Sequence, residues 1–260
     1  HAAGVAAPET EADVARLLTA ASGSVLVVGA QSSLTGGATP RGDVVLTTRK
    51  LTGIEPLGGD RVRAEAGVPL VVLEEALARA GQWYPPVPTF AGAFVGGVVA
   101  TNAAGAATFK HGTTRGWVEA LTVVLPDGDV LDIERGATRA HRDGYFELVL
   151  SRGTVRVPVP SYRMPSLVKL SAGYFAAAGM DLIDLFIGAE GTLGVVTSAT
   201  LRVLPGRPAQ CLLLVPCAHE AAALALVGEL RRLAQQTWAS RDAHGLDVSA
   251  IEHMDARSLQ

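Results

Sequence analysis

Apolar positions recur at helical spacing over the opening residues, where Val14, Leu17, Leu18 and Ala21 form one stripe. Thr10, with Asp13 three positions on, supplies a capping box at its start, and Gly23 supplies a stop. Ser24–Val28 is a short apolar run, the pattern of a buried strand. Gly29–Gly42 breaks that pattern with small residues and reads as a long loop, and Asp43–Thr48 returns to strand. Arg61–Ala66 alternates polar and apolar residues, as a half-buried strand does. Pro69 opens a second helix, with Leu70, Leu73, Leu77 and Ala80 on one face and Gly81 to end it.

Val118–Leu125 and Val130–Ile133 flank Pro126-Asp127-Gly128, a strand–turn–strand signal. Residues 135–180 carry weaker periodicity: Val155–Val159 alternates and Tyr162–Pro165 reads as a turn. Asp181–Phe186 fits one helical turn, and Gly194–Leu204 fits a strand ended by Pro205. Beyond it the pattern predicts a strand at Cys211–Val215, a helix at Glu220–Gln236 and a strand at Val248–Ile251. A half-built sheet is an unstable place to end. Residues 1–205 are therefore expected to form one domain, and 206–260 to begin a second whose remainder lies outside this sequence. The chain also opens on His1 rather than Met, as a trimmed or processed piece would.

Composition narrows the class. Hydrophobic residues make up 48% of the 260 and charged ones 18%, which disfavours disorder. The 29 glycines and 14 prolines disfavour a pure helical bundle. A formal charge of −3 lacks the basic excess of a nucleic-acid or anionic-membrane binder. Two cysteines, Cys211 and Cys217, make neither a disulfide framework nor a four-ligand zinc site; they read as buried thiols in a reducing compartment. The apolar stretch Ala91–Ala107 is interrupted by Thr101 and Asn102 and is too short and glycine-rich to span a membrane. Glu9, Glu11 and Asp13 argue against a signal peptide, so a cytoplasmic location is expected.

Three segments carry chemistry. Gly29-Ala30-Gln31-Ser32-Ser33-Leu34-Thr35-Gly36-Gly37 follows a predicted strand and lets backbone amides approach an anion. It is neither a Walker A loop nor Gly-x-Gly-x-x-Gly, and a plain surface loop fits it equally. The second segment runs from Pro85-Pro86-Val87-Pro88-Thr89 through Gly96-Gly97-Val98-Val99-Ala100-Thr101-Asn102-Ala103-Ala104-Gly105 to Lys110-His111-Gly112-Thr113-Thr114-Arg115-Gly116. A flat aromatic ligand could lie on so small-sided a main chain; a tightly packed turn would need the same glycines. The third is Asp184-Leu185-Phe186-Ile187-Gly188-Ala189-Glu190-Gly191-Thr192-Leu193-Gly194-Val195-Val196-Thr197, where a carboxylate at Glu190, between glycines, suits a ribose or a loop anchor, and a solvated glutamate is the ordinary reading.

In this order and spacing the three resemble the FAD-linked oxidases of the vanillyl-alcohol-oxidase superfamily, with its PCMH-type FAD domain, over about residues 4–205. The likeness is to the branch holding the glycolate oxidase FAD subunit, D-lactate and D-2-hydroxyglutarate dehydrogenases and alkyl-dihydroxyacetone-phosphate synthase. The family patterns are R-G-G-G-T-S-L-T-G-G, I-G-G-N-I-A-T-N-A-G-G with Y-G-T-T-R, and G-S-E-G-T-L-G-I-I-T. The resemblance implies an α+β fold in which two α/β subdomains clasp FAD, followed by the start of a ferredoxin-like cap. It implies pyrophosphate binding by Gly29, Ala30, Gln31, Ser32, Ser33 and Leu34, with Thr35 and Gly36 beside it. It implies flavin-ring contacts around Pro88, Thr89, Gly96, Gly97, Thr101 and Asn102, with His111 and Gly112 nearby, and ribose and adenine contacts from Glu190, Gly191, Gly194 and Val195. Lys169–Tyr174 is similar to the family's K-N-x-x-G-Y, with Leu170 in place of Asn.

There are departures: Val28 stands where the family has Arg, and Ala30-Gln31 where it has Gly-Gly. Ser32 occupies a position where some relatives carry a flavin-linked His, and the second segment holds no Cys, so non-covalent FAD is implied. The implied reaction is hydride transfer from a 2-hydroxy acid or related alcohol to flavin N5 while a base takes the hydroxyl proton. The implied partners are a small-molecule substrate and an unnamed electron acceptor; a homo-oligomer is left open. Substrate-orienting Arg and His residues of the family come largely from the cap, so the catalytic residues are expected outside this sequence. The alternative is a non-catalytic flavin-binding subunit completed by a partner chain. A molybdenum-hydroxylase FAD subunit or enolpyruvyl reductase fits Glu190–Gly194 less well, and a NAD-binding Rossmann domain lacks its glycine fingerprint. Six scattered histidines and no Gly-x-Ser-x-Gly give hydrolase and metal sites no support.

Overall fold

The computed structural model describes residues 1–170, 172–255 and 257–258. Strand β1 (Gly4–Ala6), helix α1 (Glu11–Ala20) and strands β2 (Val25–Val28) and β3 (Val44–Thr47) build a small α/β unit. Its sheet is parallel, in the order β1-β3-β2. The capping box of α1 is formed: Asp13 N–H donates to Thr10 Oγ1 at 3.1 Å, and Thr10 N–H donates to Asp13 Oδ2 at 3.0 Å. Val14 is fully buried with Leu46 and Leu51, and Leu17 and Leu18 pack beside them.

The larger unit contains β4 (Ile54–Gly58), β5 (Arg61–Glu65), α2 (Leu70–Arg79), β6 (Gln82–Trp83), α3 (Val95–Ala100), α4 (Thr108–His111), β7 (Val118–Val124), β8 (Val130–Glu134), β9 (Tyr145–Leu150), β10 (Gly153–Pro158), α5 (Leu182–Phe186), β11 (Val195–Arg202) and β12 (Leu204–Pro205). A 3-10 turn at Thr114–Trp117 leads into β7. The main sheet is antiparallel, in the order β4-β5-β11-β7-β8. Its central strand β11 is buried at every residue but Arg202, as a strand covered on both faces must be. β9 and β10 form a separate hairpin, and β6 pairs with β12.

The alternating and helical patterns land where expected, with differences. Leu70, Leu73 and Leu77 of α2 are buried, but Ala80 lies beyond the last turn and is exposed. Strands β1, β4, β6 and β9 and helices α3 and α4 go beyond what the sequence pattern predicts. Helix α3 is Val-Gly-Gly-Val-Val-Ala, a poor helix former on propensity. It forms because the main chain pins it: Gly96 N–H donates to Ala66 O at 2.9 Å and Val95 N–H to Val68 O at 2.9 Å. A Cβ at Gly96 would sit 2.7 Å from Ala66 Cβ, so glycine is required there for closeness.

The end of the chain corrects three expectations. Cys211–Val215 and Val248–Ile251 are not strands. Among the described residues no ladder takes up their main-chain groups, and an apolar run alone does not make a strand. Helix α6 (Glu220–Ser240) is present and four residues longer than its pattern suggested. Cys211 and Cys217 are exposed rather than buried. Residues near the end of α6 do touch the larger unit: Trp238 lies 5.0 Å from the Phe109 ring, and Lys110 Nζ is 2.5 Å from Asp247 Oδ2. Among the described residues, no helix is long and apolar enough to cross a membrane.

Two glycines separate the consequences of closeness and openness. A Cβ at Gly67 would fall on the carbonyl oxygens of Thr48 and Leu51, whereas one at Gly228, inside α6, would meet nothing within 4 Å. Gly67→Ala should destabilise the fold by about 3 kcal/mol, and Gly228→Ala should stabilise α6 by about 1 kcal/mol. Urea unfolding followed by far-ultraviolet circular dichroism measures both; equal midpoints for the two variants would contradict this packing.

Candidate functional site

The three chemistry-bearing segments meet at one end of β2. Gly29, the first residue after β2, lies against α3: a Cβ there would be 3.5 Å from Phe94 Cβ and 3.9 Å from Gly97 Cα. A Cβ at Gly37 would be 3.5 Å from Glu190 Oε2, and one at Gly191 would be 3.6 Å from Val27 Cβ. Main-chain bonds join the second and third segments, Gly188 N–H to Val99 O at 3.1 Å and Glu190 N–H to Ala100 O at 2.8 Å. Each segment contains one non-glycine residue in the left-handed region: Gln31 at φ 52°, Asn102 at 46° and Glu190 at 53°. Among the described residues only Arg241, which caps α6, shares that property. Such strained residues concentrate at ligand sites, because surrounding structure must hold them.

The first loop offers main chain rather than side chains. Among the described residues, the N–H groups of Ala30 through Leu34 donate to no protein acceptor. Gln31 Nε2 donates to Ala38 O at 2.9 Å, and the Ser33 and Thr35 hydroxyls bond each other at 2.9 Å, so these side chains shape the loop. Ser32 is exposed and Leu34 is fully exposed. At the adjacent end of β3, Thr48 bonds Val28 O through its N–H, while its buried Oγ1 has no partner among the described residues. A run of unspent amides between small residues suits an anion such as a pyrophosphate.

In the second segment, Pro88 packs on Gly105, where a Cβ would be 3.3 Å from Pro88 Cα. Gly97 has nothing within 4 Å of an added Cβ, leaving an open main-chain surface that suits a flat ring. Thr89 is exposed; Thr101 Oγ1 donates to Gly97 O at 2.8 Å. Asn102 is only 4% exposed and its amide is committed: Oδ1 accepts from Arg115 N–H at 2.9 Å and Nδ2 donates to Leu170 O at 3.2 Å. His111 stands edge-on to Trp83 at 5.4 Å and to Trp117 at 6.1 Å, and its carbonyl accepts from Trp117 Nε1 at 2.7 Å. That ring belongs to an aromatic cluster. Gly112 follows it at φ 71°.

In the third segment Glu190 is exposed and aimed toward Gly37. A Cβ at Gly194 would lie 2.7 Å from Val123 Cγ1, so this glycine serves strand packing. Val195 is buried and paired with Val124, which leaves it no free side chain to offer a ligand. The Lys169–Tyr174 segment straps the site: Lys169 Nζ donates to Ala104 O at 3.2 Å and Tyr174 Oη bonds Thr192 Oγ1 at 2.7 Å. Ser171, within that segment, lies outside the described residues. Phe94, Thr48, Arg115 and Asp184 were not among the expected site residues. Arg115 and Asp184 both lay in plain view, one near the end of the second segment and the other at the head of the third, but nothing local says that they pair.

The FAD binding domain family model matches residues 2–134, half of the chain. The chain belongs to this FAD binding domain family, and FAD is its cofactor. It is 34% identical over 194 residues to D-lactate dehydrogenase of Archaeoglobus fulgidus, covering 74% of this chain and 36% of that protein. It is 32% identical over 208 residues to D-2-hydroxyglutarate dehydrogenase of Xanthomonas citri pv. viticola, covering 77% and 36%. The chain thus spans about a third of the length of these curated relatives. A solved alkyldihydroxyacetonephosphate synthase shares the fold with a TM-score of 0.59, at 19% identity, over 88% of this chain and 36% of that one.

Two tests follow from this geometry. Gly36 sits at φ 78° in the amide-rich loop, so Gly36→Val should lower FAD affinity at least tenfold, while Glu190→Gln, which keeps an acceptor, should lower it less. Fluorescence titration reads both; a Gly36→Val protein with wild-type affinity would remove the loop from the site. The second concerns pH. Burial holds His111 below the ordinary histidine pKa, Lys110 adds to this and Asp247 opposes it. The unfolded chain then binds the proton more tightly, so stability is full above about pH 6.5 and falls as pH drops through the folded value. His111→Gln should flatten that acid-side decline in melting temperature; an unaltered slope would count against it.

Proposed function

We propose that this chain is the flavin-binding part of a dehydrogenase or oxidase acting on a 2-hydroxy acid or a related alcohol. The observation that carries the reading is the meeting of three left-handed turns, one per segment, around unspent loop amides and the open surface of Gly97. D-lactate, D-2-hydroxyglutarate and glycolate, the substrates in relatives' names, are all 2-hydroxy acids, and the glycolate oxidase subunit GlcD of Bacillus subtilis is 29% identical over 208 residues. Bound FAD supplies two-electron redox chemistry at its ring.

The residues have separable tasks. Gly29 through Leu34, with Thr35 and Gly36, hold the pyrophosphate by main-chain donation. Pro88, Thr89, Gly97 and Thr101 line the ring with small groups, Asn102 does so through its main chain, and Gly96 serves the site through its packing on Ala66. Glu190 and Gly191 face the ribose. His111, Gly194 and Val195 serve this site by packing. Residues 1–205 make up the flavin-binding domain and 206–260 begin a cap domain. Leu212, Leu213 and Leu214, more than three-quarters exposed, support that division, because such a run needs a further surface to cover it.

The test is anaerobic addition of D-lactate, 2-hydroxyglutarate or glycolate to the full-length protein. Loss of the visible flavin absorbance is expected with at least one. Bleaching by dithionite but by no 2-hydroxy acid or related alcohol would reject the substrate class. Acid precipitation of the same protein should leave all the yellow colour in the supernatant, as non-covalent FAD requires.

A further inference from the structure

Arg115 makes none of the cofactor contacts assigned above, yet it is among the most heavily bonded side chains near the site. Its Nη1 donates to Asp184 O at 2.5 Å and to Asp184 Oδ1 at 3.1 Å, and its Nη2 donates to Ile187 O at 2.5 Å. Its guanidinium lies 4.4 Å over the Phe175 ring. Its own N–H donates to Asn102 Oδ1, and its carbonyl accepts from Arg135 Nη2 at 2.9 Å. Arg135 also donates to Val118 O at 2.7 Å and reaches Asp184 Oδ1 at 3.3 Å.

The cluster is an unusual one for a fold to keep. Two guanidiniums share a single carboxylate, and the side chains of Arg115, Arg135 and Asp184 are 18%, 28% and 13% exposed. Desolvating such charges is unfavourable, and buried ion pairs are weak evidence for stability. What the cluster does accomplish is geometric. Main-chain Arg115 fixes the side chain of Asn102, the left-handed residue of the second segment. Side-chain Arg115 holds Asp184 O within α5 and Ile187 O just past its end, three residues before Glu190, the left-handed residue of the third. Gly188 sits in the wedge between, where a Cβ would be 3.4 Å from Asn102 Cβ and 3.5 Å from Arg115 Nη2.

We propose that Arg115, neutralised by Asp184 and braced by Arg135, is a positioning residue that sets the Asn102 turn against the Glu190 turn and so shapes the flavin site. The inference rests on the reading that both turns face the cofactor. A lysine keeps the charge but is a point donor that cannot span the carbonyls of Asp184 and Ile187 and the Asp184 carboxylate in one planar fork.

The experiment compares wild type, Arg115→Lys and Arg202→Lys in the full chain. Arg202 is the control: it also bonds a carbonyl, that of Gly116, but at neither turn. Expected for Arg115→Lys are an FAD dissociation constant raised at least tenfold, an altered visible circular dichroism of the residual bound flavin, and an FAD-free melting temperature shifted by less than about 3 °C. Arg202→Lys should match wild type in affinity and dichroism. Wild-type affinity in Arg115→Lys overturns the proposal, and so does weaker binding explained by a parallel drop in the FAD-free melting temperature with unchanged dichroism. Should Arg115→Lys fail to fold, Arg135→Lys decides by the same readouts, with at least a threefold loss of affinity expected and none overturning the proposal. A wild type that holds no FAD would instead refute the flavin site itself.

Discussion

Everything at the site depends on main chain meeting main chain without side chains between. Gly96 lies on Ala66, Gly105 lies under Val87 and Pro88, and the third segment is bonded to α3 through Gly188 and Glu190. Each approach brings together segments distant in sequence. Glycine makes the approach sterically open, and main-chain hydrogen bonds hold it, since buried backbone groups must find partners. The order of events is therefore packing first and chemistry second: the turns become ligand-facing because close-packed glycines leave the amides of one loop with no partner among the described residues.

This constraint explains the division of labour between side chains and main chain. The Ser33 and Thr35 hydroxyls and the Gln31 amide of the first loop are used within it, and Asn102 is used on Arg115 and Leu170, so these polar side chains pre-organise the site. Pre-organisation lowers the ordering cost of binding, which otherwise subtracts from affinity. Strain is the counterpart. Gln31, Asn102 and Glu190 occupy a region that L-residues avoid, and the surrounding bonds, including those of Arg115, keep them there.

The stretch after Pro205 is physically different. It holds a well-formed helix with both ends capped, by His219 Nδ1 at the start and a left-handed Arg241 at the finish. Yet its flanking apolar run stays exposed, and its links to the larger unit include Gly206 N–H on Gly81 O, Arg207 beside Glu74 and Trp83, Trp238 on Phe109 and Asp247 on Lys110. Local propensity suffices for a long helix, because its hydrogen bonds are internal to the segment. A strand has no such self-sufficiency.

That contrast sets what could be read along the chain. The capping box at Thr10, the leucine face of α2, the turn at Gly128 and the buried run of β11 are local or periodic signals, and each was legible in the sequence. So was the family, because three glycine-rich segments in a given order carry it. The exposed state of Cys211–Val215 was not legible, since strand formation depends on a partner that no local pattern reports. Helix α3 defied its own propensity, because bonds to Ala66 and Val68 outweigh two glycines. Nor could the sequence show that Asn102 and His111 spend their side chains on Arg115 and on two tryptophans, or that Asp184, at the head of the third segment, pairs with Arg115 and Arg135. The sequence by itself determined which segments could approach a ligand. Tertiary structure decided which atoms remain unspent once they have met, because hydrogen-bond satisfaction is settled between segments and not within them.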